Sequence, residues 1–430
     1  MSSVVSVDDY RWLIGAEGRR WLAEAEQESG DLAQQTRRLR KSLSAVECHL
    51  VLEQVALRRR AKRKFSAAER MFFTPTGLEQ ASDQWVAAYK ASRFPPDVEL
   101  ADLCCGIGGD LLALAARGAA LGVERDPIAA LLAQANLSEL RQSAKDARPG
   151  EVLNCDLAAA PLARLAAWHI DPDRRPQGRR TTRVELHEPG VPAIERLLAI
   201  NPAGAIKLAP AAELPASWSS AAEAEWISRG GQCRQLVAWF GELAASPGLR
   251  RASVIKPIAG QPASGGRQPP GRSEILAGNK SRQDPQAVYG VRTIVGPRSR
   301  EIPVAARLER YLAEPDAAVL AADLTGALAA EQALEAIAPG SVYLTGDRMA
   351  PDLALAWFEI ADVLPFDVKR LKSLLRERRC GRLEIKKRGV PHDPETVRRQ
   401  LRVPGDNEAT VFITRQGVAV IAIVARRVET

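Results

Sequence analysis

The first ninety or so residues show no period-two alternation of apolar and polar positions and read as helices. Leu50, Val51, Val55 and Leu57 supply apolar positions, followed by a basic stretch at residues 58–64. After Phe72 and Phe73 the pattern changes at Thr74-Pro75-Thr76-Gly77. Leu78, Ala81, Trp85, Ala88 and Tyr89 then recur three or four apart and predict a second helical stretch. From residue 98 the chain alternates short apolar runs with helical segments. Residues 98–102, 119–124, 151–155, 168–170 and 204–208 read as strands, with helices at 110–116 and 128–140. That spacing predicts a mostly parallel α/β sheet beneath a helical cap.

Antiparallel strands follow at residues 225–228, 235–240 and 251–255, with a turn at Gly230-Gly231. Between Pro257 and Gly271 lie four prolines and four glycines, the composition of a flexible insertion or linker. In the last third, an Ala- and Leu-rich stretch from Glu314-Pro315-Asp316 to about Ala338 predicts a long helix. Residues 342–344, 357–363, 383–385, 410–413 and 418–424 read as strands, and 366–379 as a basic amphipathic helix. The expected organisation is a helical region at 1–95, an α/β domain at 96–288, and linker helices with a small α+β domain at 289–430.

Composition narrows the class. At 430 residues, 46% hydrophobic and 26% charged, the chain can bury more than one core and is not globally disordered. No window reaches eighteen consecutive apolar residues, and the opening residues lack the basic region of a secretory signal, so a soluble, cytoplasmic protein with no membrane partner is expected. The six cysteines include no CxxC pair, which speaks against a disulfide framework or a structural zinc site. The net charge of +8 is local. Residues 369–388 hold ten basic side chains against Glu377 and Glu384, whereas the rest of the chain balances to zero. A polyanion could be held there; the alternative is a solvated helix face.

Asp102-Leu103-Cys104-Cys105-Gly106-Ile107-Gly108-Gly109-Asp110 follows the first strand and precedes a helix. Its glycines permit a tight turn and close backbone approach to a ligand. Glu124 ends the next strand, where a carboxylate can accept both hydroxyls of a ribose. The run lacks the Lys-Ser/Thr pair of a triphosphate-binding loop, and two carboxylates flank the turn. S-adenosylmethionine carries an ammonium, a sulfonium and no phosphate, and suits those flanks better than a dinucleotide.

These residues, with Glu124-Arg125-Asp126-Pro127 and Phe73-Thr74-Pro75-Thr76-Gly77-Leu78, resemble class I S-adenosylmethionine-dependent methyltransferases, in particular the group around trimethylguanosine synthase. More closely, nearly the whole chain resembles bacterial methyltransferases that end in a THUMP-like domain, through residues 343–347, 364–367 and 381–389. The resemblance implies a Rossmann-like seven-stranded methyltransferase sheet. It further implies S-adenosylmethionine as cofactor and a cofactor site formed by Asp102, Cys104, Gly106, Gly108, Glu124, Asp126 and Asp156. Asp156 fits that place independently, because it follows the strand-like residues 152–155; the alternative is a helix N-cap before Leu157. Cys104 and Cys105 have no neighbouring base and read as packing residues.

Methyl transfer needs alignment and water exclusion and no metal. The target-facing loop would be Asp171-Pro172-Asp173-Arg174-Arg175. Related amino-group methyltransferases carry Asp or Asn, Pro, Pro and an aromatic there, so Asp173 and Arg174 depart from the pattern and remove a stacking ring. Asp171, Pro172, Asp173 and Arg174 are the catalytic candidates. Arg174, Arg175, Arg179 and Arg180 could bind phosphate or stack on a base; alternatively the loop is chemically retired. Without a cysteine nucleophile in a proline-cysteine pair, nitrogen or oxygen is the expected acceptor. Lys207 reads either as a further active-site contact or as a snorkelling surface lysine.

Lys369, Lys372, Arg376 and Arg379 fall on one helix face, with Lys386, Lys387 and Arg388 at the end of the next strand. The resemblance to THUMP-like domains makes structured RNA, either tRNA or rRNA, the expected partner. With Phe366 as the single nearby aromatic, recognition should act through backbone and shape. The primary expectation is methyl transfer to a base nitrogen. The alternatives are a non-catalytic RNA-binding protein on the same fold, or an enzyme with a protein or small-molecule acceptor.

Overall fold

The computed structural model describes residues 5–28, 31–143, 150–175, 179, 181–258, 274–276, 288–298, 301–391 and 393–428. The chain divides into two compact units, Met1–Glu223 with Leu236–Gly248, and Ala224–Gln235 with Leu249–Thr430. Of the Pro/Gly-rich segment, Pro257 pairs with Tyr289 and Ile258 with Val288 at the end of a strand pair, and residues 259–271 lie outside the described residues.

The first unit opens with helices α1 (Val7–Ile14), α2 (Ala16–Gln27), α3 (Leu32–Leu39), α4 (Ala45–Ala61), α5 (Pro75–Gln80) and α6 (Gln84–Ser92). Their starts are written in the sequence: Ser6 and Ser44 form capping boxes with Asp9 and Glu47, Thr74 caps α5 and Asp83 caps α6. The Asp83 cap is why residues 78–89 form two helices instead of one. The basic stretch is partly structural. Arg58 is buried against Glu26 and the Met71 carbonyl, and Lys64 donates to the carbonyls of Leu78, Glu79 and Ala81.

Next come β1 (Glu99–Leu103), α7 (Leu111–Ala115), β2 (Ala119–Glu124), α8 (Pro127–Ser143), β3 (Gly150–Asn154), β4 (Ala167–Ile170), α9 (Val191–Ile200), β5 (Gly204–Leu208), β6 (Glu223–Arg229) and β7 (Gln232–Trp239). Within the first unit the strand order is β3-β2-β1-β4-β5-β7. The first five are parallel and β7 runs antiparallel to β5. This is a Rossmann-like sheet, and its order reverses between β1 and β4, where open α/β sheets bind ligands at the carboxyl ends of their strands.

The helical cap is tied to that edge. Phe72, Phe73, Ile107 and Leu132 share one core with α1 to α4. Asn136 of α8 accepts from the Phe72 amide at 2.7 Å and donates to the Phe72 and Ile107 carbonyls at 3.0 and 2.9 Å. One buried amide therefore joins the cap to the glycine turn.

The second unit takes in β6 from Ala224 onward and β8 (Arg250–Ile258), which runs parallel to β6 and antiparallel to β10 (Val288–Gly296), with β9 (Glu274–Leu276) beyond it. It continues through β11 (Tyr311–Pro315), α10 (Ala317–Ala321), α11 (Thr325–Gln332), β12 (Glu335–Ala336) and β13 (Leu344–Gly346). The long helix expected from Glu314 is thus broken. Glu314 and Pro315 belong to a strand, and Asp316 caps α10. Asp323 and Ala333 then take left-handed backbone conformations that a continuous helix excludes.

The chain ends with β14 (Leu355–Pro365), α12 (Val368–Glu377), β15 (Arg382–Lys387), α13 (Pro394–Gln400), β16 (Glu408–Gln416) and β17 (Ala419–Val428). The seven-stranded order is β12-β13-β11-β14-β17-β16-β15, with β15 parallel to β16 across α13. Leu371 and Leu375 of α12 are buried against Ile385, Val411 and Ile413, which leaves the basic face of the helix outward.

Replacing Asn136 by Ala should strand one amide and two carbonyls in the core and lower unfolding free energy by roughly 3 kcal/mol, about one for each lost hydrogen bond. Denaturant titration of the full chain measures this. A loss well under 1 kcal/mol would show that Asn136 does not tie the cap down.

Candidate active site

The glycine turn leaves β1 through backbone that only a few residue types adopt. Cys104, Gly106 and Gly108 have φ of 55°, 54° and 91°. A Cβ on Gly106 would meet nothing within 4 Å, so its missing side chain keeps the wall of a cavity open. Gly108 faces Ala133 of α8, and Gly109 fits against Ala81 and Ser82. The cavity, about 1000 Å³, is lined by Asp102, Cys104, Gly106, Glu124, Asp126 and Asp156 on one side and by residues 171–175 on another. Val5 and Tyr10 of the helical cap also reach it.

Glu124 organises the turn. Its carboxylate accepts from the Gly106 amide at 2.8 Å and from the Asp126 amide at 2.9 Å. Asn154 on β3 holds the carbonyls of Glu124 and Arg125 at 2.9 and 3.0 Å. Asp126 caps the start of α8 through the Ala129 amide at 2.7 Å, and Asp156 caps a short turn through the Ala158 amide at 2.9 Å. For Asp156, capping and a place on the cavity wall therefore coexist.

Behind the turn lies a buried polar chain that sequence reasoning missed. Asp102 and His169 are partners across the parallel β1–β4 pair, and Asp102 Oδ1 lies 2.7 Å from His169 Nδ1. His169 Nε2 is 3.2 Å from Lys90 Nζ, and Lys90 meets Asp110 at 2.7 Å. Ser82 donates to the other Asp110 oxygen at 2.7 Å. Burial raises the Asp102 pKa, opposed by His169, and lowers that of Lys90, opposed by Asp110. Burial would raise Asp110 too, but Lys90, His169 and Lys207 hold it below the usual carboxylate range. The available signals were a histidine inside the apolar run Trp168-His169-Ile170 and a lysine inside an apolar helix.

At the end of β4, the Asp171 amide donates to the Leu103 carbonyl at 3.3 Å, which sets this loop beside the glycine turn. Lys207 is buried, not a surface lysine. Its ammonium pairs with Asp171 at 2.5 Å and donates to the Gln80 carbonyl at 3.3 Å. Burial would lower its pKa, but Asp171 and Asp110 outweigh this and raise it. Pro172 is buried on the cavity wall. Asp173 exchanges two backbone hydrogen bonds with Glu188, and its carboxylate accepts from the Arg175 amide at 2.9 Å. Arg174 lines the cavity, Arg175 pairs with Glu79 at 2.6 Å, Arg179 is exposed, and Arg180 lies outside the described residues.

In the second unit, Lys369 and Arg376 are exposed and Lys372 half-buried on α12, whereas Arg379, expected on the same helix face, lies beyond the helix end at Glu377 with a left-handed φ of 54° and is exposed there. Lys386 pairs with Glu314 and Glu384 and so is committed within the fold, while Lys387 and Arg388 are exposed at the end of β15. Among the described residues no helix is long and apolar enough to cross a membrane, and no cluster of His, Cys, Asp and Glu could hold a metal ion.

Burial and the carboxylates of Glu124, Asp171 and Asp102 push the Cys104 thiol up to about 12. The nucleophilic thiolate should therefore be scarce at pH 8 and grow only as pH approaches that value. Peptide mapping after iodoacetamide treatment at pH 8 should find Cys104 essentially unmodified. Rapid alkylation there would contradict its placement among three carboxylates.

Comparison with known proteins fits this geometry. A THUMP domain-like family matches residues 355–427, and a domain of unknown function matches residues 6–61. A protein of Mycobacterium tuberculosis, named in two strains as an uncharacterized S-adenosylmethionine-dependent methyltransferase, is 31% identical over 377 residues, covering 85% of this chain and 92% of its own. A crystal structure from Porphyromonas gingivalis, provisionally named a methyltransferase, has a TM-score of 0.74 at 19% identity, covers 96% of this chain and 97% of its own, and shares the fold. With a Rossmann-like sheet, a glycine turn clamped by Glu124 and a full-length relative of that name, the chain belongs to the S-adenosylmethionine-dependent methyltransferases and ends in a THUMP-like domain.

Proposed function

We propose that the protein methylates a base nitrogen in structured RNA, tRNA or rRNA, in the cytoplasm. The observation that carries the reading is one cavity walled both by the glycine turn with Glu124 and by the Asp171 loop, so a methyl donor and an acceptor can meet in it. S-adenosylmethionine fits the residues present. Asp102 on the cavity wall keeps one buried carboxylate oxygen, Oδ2, with no hydrogen-bond partner, suited to an ammonium, and Gly106 leaves its approach open. In this reading Asp102 receives the ammonium, Glu124 the ribose hydroxyls and Asp156 the adenine amine, with Cys104 and Asp126 completing the wall. When bound, S-adenosylmethionine supplies an electrophilic methyl group on a sulfonium.

The acceptor then depends on the protein for alignment. Asp171, its charge balanced by Lys207, would accept a hydrogen bond from an exocyclic amine. Pro172 would stiffen the turn, and the Asp173–Glu188 bridge would fix its height. Arg174 stands where related enzymes carry an aromatic, and its planar guanidinium can lie over a base or bind phosphate. The support for RNA comes from the exposed cations of α12 and β15 within the THUMP-like domain. Lys369, Lys372, Arg376, Arg379, Lys387 and Arg388 would contact phosphates without reading sequence.

Incubation of the purified protein with labelled donor and separate pools of total RNA, total protein and metabolites should label RNA, and nuclease digestion should release an N-methylated nucleoside. Label confined to protein or small molecules would overturn the RNA reading. Asp171→Ala should lower transfer by roughly 100-fold, the scale of a lost positioning contact, with donor affinity within about threefold; undiminished transfer would remove Asp171 from the site.

The double substitution Lys372→Gln and Arg376→Gln should weaken RNA binding across sequences and reduce the slope of log affinity against log salt by about 2. An unchanged slope would place the RNA contacts elsewhere.

A further inference from the structure

The chain Asp102–His169–Lys90–Asp110 crosses four elements, β1, β4, α6 and the start of α7; its two carboxylates, Asp102 and Asp110, line the cavity, whereas His169 and Lys90 lie behind the wall. Asp102, His169 and Lys90 are each no more than 2% exposed. Burying this many ionisable groups is unfavourable unless they are paired and hydrogen-bonded.

The geometry dictates where the protons sit. Lys90 Nζ lies 2.7 Å from Asp110 Oδ1 and 3.2 Å from His169 Nε2. A lysine ammonium can only donate, so Nε2 facing it must be an acceptor. If the shared proton instead lay on Nε2, the lysine nitrogen would be the acceptor. With Lys90 as the ammonium, neutral His169 carries its one ring proton on Nδ1 and gives it to Asp102 Oδ1 at 2.7 Å. That bond fixes the rotation of the carboxylate and occupies one of its oxygens. It leaves Oδ2, buried and without a hydrogen-bond partner, as the remaining acceptor of a residue that lines the cavity.

We infer that His169, held in its Nδ1-protonated form by Lys90 and Asp110, is a positioning residue that aims Asp102 Oδ2 at the ammonium of the methyl donor. The inference rests on the assignment of Asp102 to that ammonium. With His169 neutral, Asp102, Lys90 and Asp110 carry one net negative charge, which a cationic amino-acid arm would balance. The device thus discriminates between donors with and without that arm, and it acts on binding before any chemistry.

S-adenosylhomocysteine and 5′-methylthioadenosine separate this role from simple support of the fold, because the second keeps the adenosine and the thioether and lacks the amino-acid arm. In calorimetric titration of the full chain, His169→Leu should weaken S-adenosylhomocysteine by about 10- to 100-fold, the scale of a hydrogen bond to a charged group, and leave 5′-methylthioadenosine within about twofold. His169→Asn, whose amide can donate in place of Nδ1, should restore most of the difference. In the unmodified protein, nitrogen NMR of labelled histidine should find Nδ1 protonated at His169. Equal weakening of both ligands, no weakening of either, or an unprotonated Nδ1 would overturn the inference. Asp102→Asn tells the two levels apart. If it leaves S-adenosylhomocysteine affinity unchanged, the cavity assignment itself is wrong; if it lowers that affinity while His169→Leu does not, only the positioning role fails.

Discussion

The hydrogen bond from the Gly106 amide to the Glu124 carboxylate sets the shape of the glycine-turn end of the cavity. Two adjacent parallel strands each deliver a carboxylate at their carboxyl ends, and the chain between Cys104 and Gly108 must turn through positive φ to pass between them. An amide pointed at a charged acceptor favours that turn, since charge-assisted bonds are stronger than neutral ones. Asn154 extends the arrangement to a third strand by holding the carbonyls at the end of β2. The edge is thereby cross-linked by side chains where the backbone ladder has run out.

Buried charge is the second constraint. Lys90 and Lys207 are both nearly inaccessible, and each faces a carboxylate, Asp110 and Asp171 respectively. Desolvating such groups costs several kcal/mol apiece, and removing one partner leaves the other uncompensated at roughly 3–5 kcal/mol. A purely apolar packing would satisfy stability more simply. The pairs lie behind the glycine turn and beneath the Asp171 loop, the two walls where charge on a ligand must be met, so their placement follows the cavity more than the core.

Much of this was legible in the sequence because it depends on local rules. The alternation of apolar runs and helices located all five parallel strands, and with them the glycine turn between β1 and α7 and the position of Glu124 at the end of β2. Thr74, Asp83 and Asp316 capped helices as their residue types imply. What escaped detection was long-range or dense in alanine. No spacing rule links Lys90 to His169, seventy-nine residues apart, and the Ala-rich stretch after Asp316 satisfies helical propensity along its length while tertiary packing breaks it at Asp323. Charge alone also overstated the basic patch, because Lys386 is occupied by Glu314.

The Asp171 loop brings these constraints together. Its departure from the aromatic-ended pattern removes a stacking surface, yet the loop is not loosely held. Asp171 is anchored to Lys207, Asp173 is bridged to Glu188 on both backbone sides, and Arg175 is tied to Glu79 in the helical cap. The buried Lys207 is costly unless paired, and Asp171 at the first residue of the loop supplies its partner. What the loop lacks in stacking area it has in preorganisation, and preorganised polar groups are what an enzyme needs when the methyl donor supplies the reactivity and the protein supplies the alignment.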